Sequence, residues 1–295
     1  MTSTLQLDRA RYYEIREDLW NNYPNARMAM KEAANLPDRP VSAPMLRDYA
    51  GLFVEKPLYA NMRAERGGLG DRYSFMWRNG WFPTPAQLAG PDWQIDQVGT
   101  RKYEARGSAV IAFQQAARRP LGDSFPGKSH PRVALERLYR MRKIAARFDL
   151  ALPAILAADA GFRASHRALD FLLHMTPVLE AFDTGAMTTK FHAMTDLGFE
   201  CIKPDLHAAR TLGWFKQLEV QRPKAGVDVN AQGFSDPIRY LQNDWNKCHV
   251  VSQGVALARS LPPAQRHPAF KGNACREVDI VLMQASLHNV ILKHA

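Results

Sequence analysis

The chain has 295 residues and 46% hydrophobic content, enough to bury a sizeable core. It has no long charge-free apolar run and its charged opening segment 1–20 has no signal-peptide centre, so no membrane span is expected and the protein is expected to stay in the cytoplasm. The three cysteines form no CxxC pair and the nine histidines show no HExxH spacing, which argues against a zinc ribbon, an iron–sulfur cluster or a disulfide scaffold, and no metal or cofactor is expected.

Apolar spacing is helical almost throughout. LDRARYYEIREDLWNNY reads as an opening helix, with Leu7, Tyr12, Ile15 and Leu19 on one face. PNARMAMKEAANL reads as a second, started by Pro24 and stopped near Pro37, and MLRDYAGLFVE as a third. Residues 61–101 break the pattern with Gly67, Gly68, Gly70 and Gly80 and with Trp77, Trp81 and Trp93. Its GGLG follows no strand, so it is not read as a phosphate loop. Two readings of its aromatics stay open: they pack a long loop onto the core, or they stack on a base or wedge into a duplex. Helices resume with EARGSAVIAFQQAARR, PRVALERLYRMRKIAARF, ALPAILAADA, FRASHRALDFLLHM and TPVLEAFDTGAMTTKFHAMTDLGF. After the looser VQRPKAGVDVNAQGF come DPIRYLQNDWNKCHVVSQGVALARSL and CREVDIVLMQASLHNVI. The fold class expected is all-α, with roughly ten helices.

Charge is unevenly spread. The formal net charge is +10, and residues 101–147 carry 12 Lys/Arg against 3 Asp/Glu. A one-sided surplus favours a polyanion, most simply double-stranded DNA, with Arg140, Arg142 and Lys143 as candidate phosphate contacts. Gln114 and Gln115 fall in the same region and either read a base, fill a gap in the stack or are simply solvated.

The segment LGFECIKPDLHAAR sets Lys203, Pro204 and Asp205 ahead of an amphipathic run. Pro is tolerated at a helix start, and Asp is a strong N-cap lying in the positive end of the helix dipole. A plain cap accounts for the triplet. So does a carboxylate held ionised for chemistry. Twenty residues earlier, the turn after Phe182 (DTGAM) places Gly185 and Ala186 before Thr188, Thr189 and Lys190. Backbone N–H groups at such a helix start grip a phosphate without reading sequence.

This arrangement resembles the helix–hairpin–helix DNA glycosylase superfamily. The form GF-x3-KPD-x4-R, here Gly198, Phe199, Lys203, Pro204, Asp205 and Arg210, is similar to that of some 3-methyladenine-type and related bacterial members. The resemblance covers residues 165–215 well, the preceding basic helices loosely and the first hundred residues weakly. It implies one two-lobed, monomeric all-α glycosylase-like domain over 1–295. The helix–hairpin–helix lobe would span about 101–216, and the terminal helices would form the other lobe. It also implies a monofunctional DNA glycosylase that flips a base from duplex DNA and leaves an abasic site. Some bacterial members of this kind act in antiviral defence on bases such as glucosylated hydroxymethylcytosine, others in base excision of alkylated or damaged bases, and both substrates stay open. The alternative is a DNA-binding protein that keeps the hairpin without catalysis. Asp205 takes the catalytic position, stabilising the oxocarbenium-like sugar and orienting or deprotonating water. Gly185, Ala186, Thr188, Thr189, Lys190 and Lys203 would contact DNA. Trp77, Trp81, Gln114, Gln115 and His207 are candidates for the base pocket or wedge. The sequence departs from the family in two places: FDTG holds one glycine where LPGVG is usual, and Met187 stands where bifunctional members carry a nucleophilic lysine. Lys190 lies three residues further on.

Overall fold

The computed structural model describes residues 7–36, 41–59, 83–100, 102–121, 131–183, 187–215, 217–218, 237–270 and 272–294. Among them the protein is mostly helical, as expected. The fourteen α-helices among the described residues are α1 (Arg9–Asn22), α2 (Pro24–Ala34), α3 (Ala43–Asp48), α4 (Ala50–Tyr59), α5 (Pro85–Ala89), α6 (Ser108–Leu121), α7 (Pro131–Ala146), α8 (Phe148–Ala164), α9 (Ala168–Phe182), α10 (Met187–Asp196), α11 (Leu206–Trp214), α12 (Pro237–Tyr240), α13 (Asp244–Ser260) and α14 (Ala274–Leu287).

One element lies outside the helical expectation. Strands β1 (Ile95–Gly99) and β2 (Lys102–Ala105) form an antiparallel pair, with Ile95 opposite Ala105 and an irregularity between Gln97 and Gly99. Only Ile95 is buried in this ribbon, so it lacks the alternation that marks a half-buried strand. Arg106 braces it through Asp96 at 3.2 Å and Glu104 at 2.7 Å.

Compact packing divides the chain into two units. The first comprises residues 1–45, 154–178 and 186–295, and the second 46–153 and 179–185, so the segment 101–216 contributes to both.

In the second unit, Phe53 packs against Phe148 and Phe182 with ring centroids 5.8 Å away in each case. Trp93 meets Phe113 at 5.5 Å. Leu138, Met141 and Ile144 form the buried stripe of α7 at helical spacing.

The first unit is built around α14. Helix α1 starts at Asp8, whose carboxylate accepts the Arg11 N–H at 2.9 Å, and buries Tyr12, Ile15 and Leu19 as the spacing predicts. The fully buried Glu277 of α14 accepts bonds from Arg16 at 2.9 Å, Tyr12 Oη at 3.3 Å and the His267 N–H at 3.1 Å. Next to it, buried Arg276 donates to the carbonyls of Leu36 at 3.0 Å and Asp196 at 2.9 Å, satisfying helix-end groups that burial would otherwise orphan. Phe162 stacks on Phe191 and tilts against Phe171, at 5.6 and 5.3 Å.

Candidate functional site

The chain reaches Asp205 through a helix stop. Gly198 has φ 89°, a left-handed conformation that suits glycine, and ends α10. The Phe199 N–H bonds back to the Met194 carbonyl at 3.0 Å, and the Gly198 N–H to that of Thr195 at 3.1 Å. Phe199 is then fully buried. The Gly-Phe pair is thus the C-terminal cap of α10, and it turns the chain toward α14. Ile202, also buried, lies against Gly254 of α13 so closely that no Cβ fits there without displacement.

Three contacts fix the next residues. The Lys203 N–H donates to Asp279 Oδ1 of α14 at 2.7 Å, the Thr188 hydroxyl donates to the Pro204 carbonyl at 3.3 Å, and the Asp205 N–H bonds to the Lys203 carbonyl at 2.9 Å. Asp205 then caps α11, its Oδ1 accepting the N–H groups of His207 and Ala208 at 2.9 Å each. Its other oxygen, Oδ2, meets the Lys203 ammonium at 2.9 Å. Helix α11 is held against α14 by Thr211 Oγ1 donating to the Leu282 carbonyl at 2.9 Å and by His207 Nδ1 and Ser286 Oγ at 3.1 Å.

The charges respond to this setting. Burial works against ionising Asp205, but the Lys203 charge and the Ala208 N–H outweigh it, and the carboxyl is held below the usual carboxylate range. Burial likewise works against the Lys203 ammonium, but Asp205 and Asp279 together keep it protonated well past its ordinary range. Asp279 moves the other way. Burial and the neighbouring Asp205 charge push it up to about 7, against the pull of Lys203. Burial lowers His207 and favours its neutral imidazole. Lys203 and Asp205 keep 14% and 17% of their side-chain surface exposed, so solvent or a ligand reaches the pair. A partly accessible set of strongly perturbed ionisable groups marks a candidate functional site.

Thr188, Lys203, Asp205, His207 and Arg210 come together around α11 and α14. Thr189 is half-buried, and Gly185, Ala186, Trp77 and Trp81 lie outside the described residues. Lys190 requires a correction: it is 1% exposed, so it does not offer a surface phosphate contact. Its threonine neighbours suggest a polar face, but α10 turns this position into the core.

Arg140, Arg142, Lys143, Gln114 and Gln115 belong to the second unit. Part of the charge there is already engaged: Arg140 pairs with Glu136 one turn away, Lys143 with Asp183 at 2.6 Å, and Arg147 donates to the Ala181 carbonyl at 2.7 Å. Gln114 is half-buried and Gln115 exposed.

Two features had no local signal in the sequence. Asp279 accepts from the main chain of Lys203, 76 positions away, a pairing that no local spacing reveals. A cavity of about 510 Å³ in the first unit is lined by Arg163, Arg259, Arg266 and Glu200 and by Ala274 and Cys275 at the start of α14. Its arginines are largely committed to the fold. Arg259 donates to the carbonyls of Phe162 and Arg163 at 2.9 and 3.0 Å and pairs with Glu200 at 2.6 Å, and Arg163 pairs with Asp159 at 2.9 Å. Among the described residues no helix is long and apolar enough to cross a membrane, and no group of three or more His, Cys, Asp or Glu is placed to hold a metal ion. Comparison with protein-family models, with curated proteins and with solved structures finds no match to this chain.

Proposed function

We propose that this protein is a monofunctional DNA glycosylase of the helix–hairpin–helix type. In this reading α9 and α10 form the hairpin, and Asp205 hydrolyses the N-glycosidic bond of a modified or damaged base flipped from duplex DNA. One observation carries the reading: an ionised, partly accessible carboxylate stands at the N-terminus of α11, braced by two backbone N–H groups and an ammonium. Cleavage of a C1′–N bond builds positive charge on the sugar, and a fixed carboxylate facing that charge stabilises the transition state without reorganising. The same carboxylate orients the attacking water.

The amines nearby favour hydrolysis without strand cleavage. Met187 and Lys190 are each 1% exposed, and Lys203 is kept as an ammonium by its two carboxylate neighbours, a form that does not attack an aldehyde. The product is then an intact strand bearing an abasic site. The substrate class is either an alkylated or damaged base or a hypermodified cytosine of phage DNA.

A second reading has its own observation: both Asp205 oxygens are engaged, one by the helix start and the other by Lys203, as a structural cap requires. Incubation with genomic DNA from several sources, including phage with modified cytosines, separates the two when followed by an abasic-site assay. The glycosylase reading requires abasic sites in at least one DNA, nicked only after alkali. The structural reading requires none.

A further inference from the structure

The Lys203 ammonium serves two carboxyl groups. It sits 2.9 Å from Asp205, while Asp279 accepts the Lys203 N–H at 2.7 Å and lies within electrostatic reach of the same ammonium. A carboxylate is an unusual acceptor for a single backbone N–H at a part-buried position, since a neutral amide oxygen would satisfy that donor without desolvating a charge. The position is also geometrically set. Lys203 Nζ lies 3.8 Å from Met283 Sδ, one turn further along α14, so the side chain runs along the same helix that presents Asp279.

We infer that Asp279 is a positioning residue of the candidate site: it fixes the Lys203 main chain and competes with Asp205 for the Lys203 charge. The inference rests on the glycosylase reading. When Asp279 is neutral, the Lys203–Asp205 pair sums to zero charge, and the field it presents to a developing sugar cation is that of a dipole. When Asp279 is ionised, the three groups sum to one negative charge, and the cation meets a net attraction in a poorly screened setting.

The charged groups facing Asp279 are Lys203 and Asp205, from the segment before α11, and Asp196 at the end of α10. The Cys201 and Cys275 thiols nearby are pushed up by burial and stay protonated. Lys203 remains an ammonium and Asp205 a carboxylate, so Asp279 is the member of the set whose charge changes near neutrality, around the value of about 7 that burial gives it.

The test is the pH profile of single-turnover base release by the full-length protein. Asn at position 279 keeps an oxygen for the Lys203 N–H and removes the charge. Wild-type release should rise about tenfold between pH 6 and pH 8, the ratio of ionised fractions on either side of such a titration. Asp279→Asn should be flat over that interval and below the wild-type rate at pH 6, with duplex binding unchanged. A wild-type profile without this limb, or an equal loss for Asp279→Asn at every pH, overturns the inference. A second measurement keeps the outcome independent of activity: carboxyl-carbon NMR of the wild type and of Lys203→Met. Asp279 titrating near neutrality, and higher still in Lys203→Met, supports the coupling. Titration below pH 5 in both refutes it. Wild-type protein releasing no base from any DNA defeats the glycosylase reading, while the NMR titration still decides the link between Asp279 and Lys203.

Discussion

Substituting Gly254 tests how the segment leading to Asp205 is held in place. An ideal Cβ built there lies 2.9 Å from Ile202 Cγ1 and 3.3 Å from Cγ2, and closer still to Cδ1. Ile202 is fully buried, so rotating its ethyl arm away drives it into other core atoms. Two effects compete in Gly254→Ala. Replacing glycine inside α13 with alanine gains about 1 kcal/mol of helix propensity, and overpacking costs about 1–3 kcal/mol. The expected net result is a loss of about 0–2 kcal/mol, together with a displacement of the chain three residues before Asp205. The partner substitution decides the cause. Ile202→Ala alone leaves a cavity and should cost about 2–5 kcal/mol. Combined with Gly254→Ala it removes the clash, frees the propensity gain and lets the new methyl fill part of the void. Urea unfolding of all four members of the cycle should therefore show a favourable coupling of at least about 1 kcal/mol. Additive effects would mean that Gly254 and Ile202 do not restrain each other, and the account of how α13 seats the Lys203–Asp205 segment would fail.

Arg16→Ala removes the guanidinium from the fully buried Glu277, leaving its charge with the Tyr12 hydroxyl and the His267 N–H. Destabilisation of about 3–5 kcal/mol is expected in denaturant unfolding, and a change below about 1 kcal/mol would show the cluster to be peripheral. The Asp279 carboxyl is raised in the folded protein to about 7 against about 3.9 in the unfolded chain. This group therefore contributes stability that is lost as pH climbs between those values, worth about 4 kcal/mol when fully ionised. Asp279→Asn should accordingly be more stable relative to wild type at pH 8 than at pH 5, and a pH-independent difference would refute that assignment. Borohydride added during base release should trap no covalent enzyme–DNA adduct, because Lys203 is protonated and Lys190 buried. A trapped adduct would overturn the monofunctional reading.

What the sequence made legible was what neighbouring residues determine. The cap at Asp205 and the buried face of α1 follow from local spacing and backbone preference, and the structure places them as expected. The ribbon of β1 and β2 was missed because its side chains are mostly exposed and leave no alternating pattern. Several helices also divide where a single run was expected. Asp170 accepts the His166 and Arg167 N–H groups and starts α9 inside FRASHRALD, and Asn243 caps α13 inside DPIRYLQNDW.

Charge counting was the less faithful guide. A surplus over residues 101–147 treats each basic side chain as available, yet Arg140, Lys143 and Arg147 each have a partner in the fold. The pairing of Lys203 with Asp279 joins positions too far apart for periodicity to connect, and only the packing of the segment before α11 against α14 brings them together.

The central claim is that Asp205 acts on the substrate and does not merely cap α11. Asp205→Asn preserves an acceptor for the His207 and Ala208 N–H groups, but it sets an amide against the Lys203 ammonium. Lys203→Met/Asp205→Asn removes both charges together and keeps the cap. The most direct measurement is single-turnover base release by this double variant, beside Lys203→Met alone, on a DNA that the wild type converts to abasic sites. The account predicts a folded protein that still binds duplex DNA and releases base at least ~10²-fold more slowly than Lys203→Met. Release by the double variant at the rate of Lys203→Met would contradict it.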